Sequence, residues 1–459
     1  METDFDVIVI GAGGAGMTAA ITAAENGARV LVVDAAGRTG GTTAMSTGTI
    51  YAAGTSLQRQ KGIDDTPDAA FNYIMTLNQY RADASLIRTF CDRGAAALDW
   101  LMSIGVEYRV EHVYIAGVDT VARGHRAAHF GAAVAEGLDR EMHARGVTLS
   151  LKTRVQKLHR NNSGAIAGIE VEGEIITSRA VIVATGGFGA DRELMARYYP
   201  DAAKQGEGLV YTGSETNKGD GLRMGLDAGA TLTGFNCGLL QVSAGFRREQ
   251  DSYLPGWLLY VNRDGIRFVR ETAQYAVMEG VVKAQVGGDC IAIFDEEARA
   301  ASKVITTYKP LFAGWVADLL LEYVREGTLL RADTLEELAE RSGVRADALM
   351  TTVDLYNADC DAAYDSHFFK DKSYLKPVRK PPFYAARIRP CVVVATATGL
   401  RIDRHARVLD AANRPVPGLF AAGEATGGVI TERYFAGGIS IANNVIFGRI
   451  AGENAAAPA

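Results

Sequence analysis

The chain has 459 residues, of which 48% are apolar and 22% are charged, which is the balance of a globular protein. This length allows more than one hydrophobic core, since single cores stop growing at roughly 250–300 residues. The net charge of −6 argues against nucleic acid and anionic membranes as partners, because both require clustered Lys and Arg. Five scattered cysteines without a CxxC pair predict no disulfide framework and no metal site, and they favour a reducing compartment.

A charge-free and mostly apolar run, residues 7–24, is just long enough to suggest a membrane span. Its four glycines, which lie between Gly11 and Gly16, predict a tight turn instead. Asp6 precedes the run and no basic segment does, which argues against a signal peptide. We therefore expect no membrane span and a cytoplasmic location.

The N-terminal segment has the pattern of a strand, a glycine turn, a helix and a second strand. Residues 6–10 predict a strand that is buried on both faces, and the second predicted strand ends at Asp34. Gly11, Gly13 and Gly16 form a GxGxxG motif: the first permits the turn, the second lets a pyrophosphate approach, and the third lets helix and strand pack closely. The helix N-terminus offers N–H groups to the phosphates, and the acid can accept hydrogen bonds from a ribose. The segment predicts a dinucleotide site.

Two further segments favour FAD over NAD. Residues 37–48 are rich in glycine and hydroxyl side chains, and such a loop can wrap a pyrophosphate and reach an isoalloxazine ring. Residues 418–424 resemble the second FAD contact of flavoproteins with two dinucleotide-binding domains, where the terminal acid, here Glu424, meets the ribityl chain or the ribose. No second GxGxxG follows a strand, so we expect no nicotinamide site and an external electron acceptor.

The rest of the chain indicates two domains. The pattern is mostly helical from about residue 65 to 146, and short strands follow, with a hairpin turn at residues 161–164. We predict an α/β fold in which a Rossmann-type FAD-binding domain, residues 1–229 and 380–459, is interrupted by a smaller inserted α+β domain, residues 230–379.

Several segments, taken in order, resemble the fumarate reductase/succinate dehydrogenase flavoprotein superfamily, which includes soluble fumarate reductases and 3-ketosteroid dehydrogenases. Besides the glycine motif they are residues 184–188, 218–221, 261–268, 418–428 and 447–452. The resemblance implies that the inserted α+β domain, residues 230–379, is a capping domain that contacts the substrate. The residues that this resemblance and the motifs assign to FAD binding are Gly11, Gly13, Gly14, Ala15, Gly16, Asp34, Gly40, Gly41, Thr42, Thr43, Ser46, Thr47, Gly48, Val155, Ala184, Thr185, Gly186, Gly219, Asp220, Gly423, Glu424, Gly438, Ser440 and Ile441.

The resemblance also implies how FAD is attached. The covalent branch of the superfamily has a His in the loop after the ribose acid, whereas this chain has Thr42, Thr43 and Ala44 there. We therefore expect FAD to be bound without a covalent link.

Two branches of the superfamily differ at the substrate. Dicarboxylate reductases bind carboxylates with Arg and His and have an HTMGG pattern, but residues 395–399 lack the His. Tyr275 stands in the neighbourhood of their proton-donating Arg. In 3-ketosteroid 1-dehydrogenases a Tyr there is the base, and the hydroxyl of a second Tyr and the N–H of a Gly four residues later polarise the ketone, a spacing that Tyr434 and Gly438 have. Tyr114 matches the approximate region of another tyrosine of the proton path.

Three functions follow from these patterns. The leading hypothesis is an FAD-dependent dehydrogenase that forms an α,β-unsaturated ketone from a cyclic ketone, either a steroid or a smaller ring. A reductase of an activated C=C bond in an unsaturated carboxylic acid is the second, because Arg270, Arg401 and Arg433 could bind a carboxylate. The third is a subunit that relays electrons within a larger complex.

For two sets of residues, a structural role is the alternative to a functional one. Most tyrosines fill apolar surface, so Tyr275 taken alone is as consistent with packing as with catalysis. His125 and His129 have i, i+4 spacing in a predicted helix, but no third ligand lies nearby in the sequence, so we expect packing or surface roles and no metal.

Overall fold

The structure, a computed structural model, describes residues 3–246, 254–303, 314–431 and 433–457. It divides into two compact units, one made of residues 1–204, 213–239 and 394–459, the other of residues 205–212 and 240–393. The mixed α/β class that the sequence predicts is confirmed. The predicted domain boundaries at 230 and 380 differ from these divisions, and the substrate-capping role of the second unit stays a prediction.

The strands are β1 Phe5–Ile10, β2 Val30–Val33, β3 Thr49–Tyr51, β4 Tyr108–Tyr114, β5 Gly124–Ala127, β6 Thr148–Ser150, β7 Lys157–Arg160, β8 Ile166–Val171, β9 Glu174–Val183, β10 Val210–Tyr211, β11 Leu232–Thr233, β12 Gly238–Ser243, β13 Leu259–Val261, β14 Cys290–Asp295, β15 Leu330–Ala332, β16 Phe383–Thr396, β17 Gly399–Leu400, β18 Arg407–Leu409 and β19 Pro415–Ala421. The α-helices are α1 Gly14–Glu25, α2 Gly41–Met45, α3 Ser56–Gln60, α4 Pro67–Leu77, α5 Ala84–Ser103, α6 Phe130–Ala144, α7 Arg192–Tyr198, α8 Pro200–Ala203, α9 Asp220–Asp227, α10 Tyr275–Lys283, α11 Glu296–Ala300, α12 Ala317–Glu326, α13 Leu335–Ser342, α14 Ala346–Asp361 and α15 Ile439–Ala456.

The first unit is organised by a sheet with the strand order β18-β19-β9-β1-β2-β6, to which β7 and β8 add through β9. The pairs from β19 through β9, β1 and β2 to β6 are parallel, as a Rossmann-type unit requires. Val7, Ile8 and Val9 on the central strand β1 are fully buried, which explains their continuous apolar pattern. The predicted hairpin turn at residues 161–164 is confirmed between β7 and β8.

The apolar run at residues 7–24 contains most of β1, the glycine turn and most of α1. It is therefore not one helix, in agreement with the interpretation of its glycines. Within the described ranges, no helix has both the length and the apolar character needed to cross a membrane.

Helix α15 packs against α1 at a crossing where glycine is required. A Cβ added at Gly448 would lie 2.8 Å from the carbonyl oxygen of Ala15, and one added at Gly452 would overlap that of Ala19. Side chains at these two positions would push the helices apart. The crossing therefore fixes α15, and with it the N-terminus of this helix, relative to the glycine turn.

Two strands of a three-stranded antiparallel sheet, β3-β5-β4, lie in a region that the sequence predicts as mostly helical. The prediction is wrong for β4 and β5, whose residues pair with β3 and with each other. His125 is accordingly a strand residue. It is buried, its Nε2 lies 2.9 Å from Thr55 Oγ1, and its Nδ1 lies 3.0 Å from the Arg123 carbonyl. His129 precedes α6 and is exposed, so the predicted helical pair does not exist.

The second unit is built on β16, which pairs in parallel with β10 and antiparallel with β14 and β15. Apolar clusters cover both faces of its strands, one containing Trp315 and Phe294, the other Leu338 and Leu349. This architecture is the predicted α+β type.

A buried ionic network links the turn before α10 to the segment after α14. Arg267 donates to both carboxylates of the network, at 2.8 and 2.7 Å to the two Asp365 oxygens and at 2.9 Å to each Glu271 oxygen. Lys370 lies 3.2 Å from Glu271, and the side chains of Lys370, Glu271 and Asp365 have no exposed surface. Burial alone raises the pKa of Asp365, but hydrogen bonds from Arg267 and from backbone N–H groups outweigh it and hold that pKa well below its ordinary value.

We expect Asp365→Asn to destabilise the protein strongly, because removing one charge of a buried network leaves its partners uncompensated, which costs about 3–5 kcal/mol. Urea unfolding followed by tryptophan fluorescence measures the change. Asp333→Asn is the control: Asp333 pairs with Arg331 at 3.1 Å on the surface, and exposed pairs contribute about 0–1 kcal/mol. Equal midpoints for the two variants would contradict the stabilising role of the network.

Candidate active site

The glycine turn has the geometry that a dinucleotide requires. Gly11 has a φ of +111°, and a Cβ added there would overlap the Ala184 carbonyl. A Cβ at Gly16 would overlap the carbonyl of Gly11, whereas one at Gly13 would meet nothing within 4 Å. The first and third glycines are therefore required by the packing of the protein itself. The second faces open space at the N-terminus of α1, where a pyrophosphate would lie.

The acid at the end of β2 is held by backbone groups. One oxygen of Asp34 accepts a hydrogen bond from Ala12 N at 2.6 Å and the other accepts from Ala36 N at 2.7 Å. A carboxylate oxygen has two acceptor sites, so these bonds leave capacity for ribose hydroxyls. Its contact with the ribose stays a prediction.

The hydroxyl-rich loop is attached directly to the glycine turn. Gly40 N donates to the Ala12 carbonyl at 2.8 Å, and Gly40 has a φ of +99° that favours glycine. Thr42 Oγ1 accepts from Ser214 N at 3.0 Å, and Thr43 Oγ1 accepts from the side-chain amide of Asn444 at 3.3 Å. These two threonines therefore hold the loop in place.

The loop after β9 and the start of α15 contain polar atoms that fit a bound cofactor. The buried Thr185 Oγ1 and Asn443 Oδ1 have no hydrogen-bond partner in the described part of the chain. Buried polar atoms are rarely left without one. Together with the open space above Gly13, they fit FAD, whose hydroxyl, phosphate and ring groups would offer such partners.

Glu424 is fixed from one side by a neighbouring strand. Its Oε1 accepts hydrogen bonds from the backbone N and the hydroxyl of Thr396, both at 2.8 Å. Burial raises the pKa of Glu424 above its ordinary value, against the lowering effect of these two bonds. The preceding Gly423 has a φ of +73°, and its Cβ would lie 2.6 Å from that of Ala15.

The structure shows where three other residues that are predicted to bind FAD lie within the protein. Val155 is buried, Gly219 has a φ of +72° at the start of α9, and Asp220 forms an ion pair with Arg154. A Cβ at Gly219 would overlap Leu194, so packing alone already requires this glycine. Their contacts with FAD stay predictions.

The structure brings Tyr434 and Gly438 together at the N-terminus of α15. The Tyr434 hydroxyl lies 2.9 Å from Ser440 Oγ and accepts from Ser440 N at 3.4 Å. Gly438 has a φ of +98°, and a Cβ there would lie 2.8 Å from Tyr51 N. The tyrosine hydroxyl and the glycine thus lie beside the positive end of an 18-residue helix, where negative charge is favoured.

Neighbouring backbone holds this segment rigidly. The Tyr73 hydroxyl donates to the Phe435 carbonyl at 2.9 Å and accepts from Val118 N at 3.1 Å. Gly437 N donates to the Ala116 carbonyl at 2.9 Å. The sequence did not identify Tyr73 as a residue of the site, because its position in a predicted helical region is the only feature that it shows there.

Tyr114, which the sequence assigns to the proton path, also lies near this segment. The Tyr114 hydroxyl is 3.3 Å from Thr49 Oγ1, and a Cβ at Gly438 would lie 2.8 Å from Thr49 Cγ2. Thr49 therefore lies between Tyr114 and Gly438. The sequence reasoning did not single it out, because its role depends on the pairing of β3 with β5 and of β5 with β4.

Tyr275 belongs to the second unit, where it is half-buried and is the first residue of α10. Arg270 and Arg433 are exposed and Arg401 is half-buried. The backbone N of Arg433 donates to the side chain of Asn78 at 3.3 Å. The roles of these four residues stay predictions.

We expect Gly13→Ala to fold normally but to bind FAD more weakly, because the added methyl enters only the open space assigned to the pyrophosphate. The apparent dissociation constant for FAD, measured by titrating apoprotein, should rise by about tenfold or more, which corresponds to about 1.4 kcal/mol. Gly280→Ala on α10 is the control, since its Cβ also meets nothing within 4 Å and its backbone, like that of Gly13, lies outside the left-handed region. Unchanged affinity in Gly13→Ala would contradict the assignment.

Comparison with known proteins agrees with this geometry. The FAD binding domain family model matches residues 6–441. A cytochrome-type fumarate reductase of Shewanella frigidimarina is 31% identical over 98% of this chain and 77% of its own length, and a urocanate reductase of Eggerthella lenta is 29% identical over 100% and 75%. The structure of a 3-ketosteroid-Δ4-(5α)-dehydrogenase from Rhodococcus jostii RHA1 has a TM-score of 0.81 and 26% identity, and covers 100% of this chain and 98% of the other. The chain belongs to the FAD binding domain family, and within it to the fumarate reductase superfamily of FAD-dependent oxidoreductases that act on carbon–carbon bonds.

Proposed function

We propose that this protein is an FAD-dependent dehydrogenase that introduces a C=C bond next to the carbonyl of a cyclic ketone. The observation that carries the proposal is the position of the Tyr434 hydroxyl and Gly438 at the first turn of α15. Bound FAD would supply the acceptor for the hydride that leaves the neighbouring carbon.

Tyr434 and Gly438 are assigned to the carbonyl oxygen. A C–H bond beside a ketone becomes acidic enough only when the oxygen of the forming enolate receives hydrogen bonds in a site from which water is excluded. The tyrosine hydroxyl can donate one such bond and the Gly438 N–H another, with the helix dipole favouring the same charge. Phe435 and Ala436 between them are fully buried, so the segment is dry and cannot shift easily.

Tyr275 is assigned to remove the proton. An ordinary tyrosine has a pKa near 10, so a base at neutral pH needs an environment that favours its anion. The first position of a helix supports this, because unpaired N–H groups and the positive end of the dipole lie there.

The relatives that are named as reductases favour reduction of a C=C bond over its formation, which is the direction of the second candidate function. The fumarate and urocanate reductases are similar over nearly the whole chain. A reductase of an unsaturated acid would need a cation at the carboxylate, and Arg270, Arg401 or Arg433 would have to supply it. None of the three is buried, whereas a carboxylate in a dry site requires a buried cation. For this reason we favour a ketone over an unsaturated acid as the substrate.

We expect Tyr434→Phe and Tyr275→Phe to retain FAD but to lose most ketone turnover. Loss of a general base typically costs about 10²–10⁴-fold in rate. Loss of one oxyanion donor costs about 10²–10³-fold. Steady-state kinetics with an artificial electron acceptor measures both variants.

The two variants should differ in substrate binding. Tyr434→Phe should also raise the KM, because a ground-state hydrogen bond is lost, while Tyr275→Phe should leave it nearly unchanged. Tyr80→Phe, which alters a 69% exposed tyrosine, is the control and should behave as wild type. Wild-type rates in both site variants, or loss of acid reduction in Arg270→Ala or Arg433→Ala, would favour the second candidate.

A further inference from the structure

A buried arginine in the first unit joins segments that are far apart in the sequence. Arg123, which directly precedes β5, is 2% exposed. Its Nε and Nη2 donate to the two oxygens of Asp65 at 2.8 and 2.7 Å, and its Nη1 donates to Asp119. Both carboxylates are themselves largely buried. Because one guanidinium faces two carboxylates, this cluster has no excess positive charge with which to bind a carboxylate substrate.

The same guanidinium contacts two tyrosines. Nη1 of Arg123 donates to the Tyr51 hydroxyl at 3.4 Å, and Cζ lies 5.7 Å from the centre of the Tyr73 ring, a cation–π distance. Burial raises the pKa of Tyr73 to about 12 and raises that of Tyr51 as well. Both tyrosines therefore stay neutral at neutral pH, so they act by hydrogen bonding and packing.

Tyr73 holds residues 434–438, which we call the carbonyl segment, from one side. Its hydroxyl donates to the Phe435 carbonyl at 2.9 Å and accepts from Val118 N at 3.1 Å. Phe435 directly follows Tyr434 and is fully buried. Buried backbone groups are rarely left without a partner, so loss of the Tyr73 hydroxyl would make the segment shift until the carbonyl finds another donor.

Tyr51 holds the carbonyl segment at its other end. Its backbone N donates to the Gly438 carbonyl at 3.3 Å. Its ring packs edge-on against the ring of Phe435, with 5.6 Å between the ring centres. Arg123 therefore reaches the carbonyl segment through both tyrosines, at the residue after Tyr434 and at Gly438.

We propose that Arg123 is a positioning residue for ketone oxidation, which acts on the carbonyl segment through Tyr73 and Tyr51. The inference rests on the proposed function, in which the Tyr434 hydroxyl and the Gly438 N–H bind the carbonyl oxygen. Such donors must be placed accurately, because a displacement of about 1 Å can cost about 10²-fold in rate. Arg123 fixes their position and is assigned no contact with the reacting atoms.

Two variants test this role. Arg123→Lys keeps the positive charge for the two carboxylates but lacks the planar fork that reaches Asp65 and Tyr51 at once. Tyr73→Phe keeps the ring above the guanidinium and removes the hydroxyl that binds the Phe435 carbonyl. FAD content and the urea unfolding midpoint are measured first. If Arg123→Lys does not fold, Tyr73→Phe decides.

The second unit provides a matched control for each variant. Arg299 is buried and forked onto Glu296, with both donor–acceptor distances 2.7 Å, and the buried Tyr384 donates its hydroxyl to Glu296 at 2.6 Å. Arg299→Lys and Tyr384→Phe therefore make the same chemical changes at buried positions that the proposal does not connect to the carbonyl segment. We expect both to have wild-type kcat.

The decisive readout is a double-mutant cycle with Tyr434→Phe, in which kcat and KM for the ketone are measured with an artificial electron acceptor. In otherwise wild-type protein we expect Arg123→Lys and Tyr73→Phe each to lower kcat by about tenfold or more and to raise KM. In the Tyr434→Phe background their effect on kcat should fall to about twofold or less, because the hydroxyl that they position is gone.

Wild-type kcat in folded Arg123→Lys, or in Tyr73→Phe where it decides, would overturn the positioning role and leave the proposed function intact. Undiminished losses in the Tyr434→Phe background would also overturn it, as would equal losses in the two controls, because both results would reveal a general structural effect. The proposed function fails differently: wild-type protein would then oxidise no ketone, and the positioning role would fall with it.

Discussion

The contact between α1 and α15 is the constraint on which the arrangement of the first unit depends. Gly448 and Gly452 let the two helices approach until side chains at these positions would meet the backbone of α1. The approach fixes the N-terminus of α15 in the same unit as the glycine turn, and Gly423 packs against α1 as well. One packing requirement thus positions both the predicted pyrophosphate site and the segment that carries Tyr434 and Gly438.

The chemistry of the site follows from the residue types that this frame positions. A fumarate reductase is similar in sequence to 98% of this chain, so the fold alone does not select a substrate. What the first unit presents at α15 is a tyrosine hydroxyl, a glycine N–H and buried apolar side chains. Neutral donors in apolar surroundings suit a carbonyl better than a carboxylate, because a buried carboxylate needs a buried counter-charge and Arg433, next to Tyr434, is exposed. The proposed ketone substrate rests on this difference.

The sequence correctly predicted the parts of the fold that depend on contacts within a few residues or with one adjacent strand. The strand–turn–helix–strand unit could be read because Gly11 and Gly16 are required by contacts within a few residues or with one adjacent strand. The hairpin between β7 and β8 could be read from its turn residues for the same reason. Residues 108–114 carry an alternating pattern that indicates a strand, but their helical neighbours on either side concealed it.

Features of the site that depend on contacts between residues far apart in the chain could not be predicted from the sequence. Thr49 contacts Tyr114 only because β3 and β4 both pair with β5, and no spacing within the sequence indicates this. The contact of Tyr73 with Phe435 joins residues that are 362 positions apart. By contrast, the spacing of Tyr434 and Gly438 is local, and the structure places both at one helix end as that spacing suggests.

We propose that a ketone, and not a dicarboxylate, exchanges electrons with the flavin. Anaerobic mixing of the purified holoprotein with a panel of saturated cyclic ketones, and separately with succinate, tests this directly. We expect at least one ketone to remove the visible absorbance of the oxidised flavin and to give the α,β-unsaturated ketone, while succinate has no effect. Reduction of the flavin by succinate, with no response to any ketone, would contradict it.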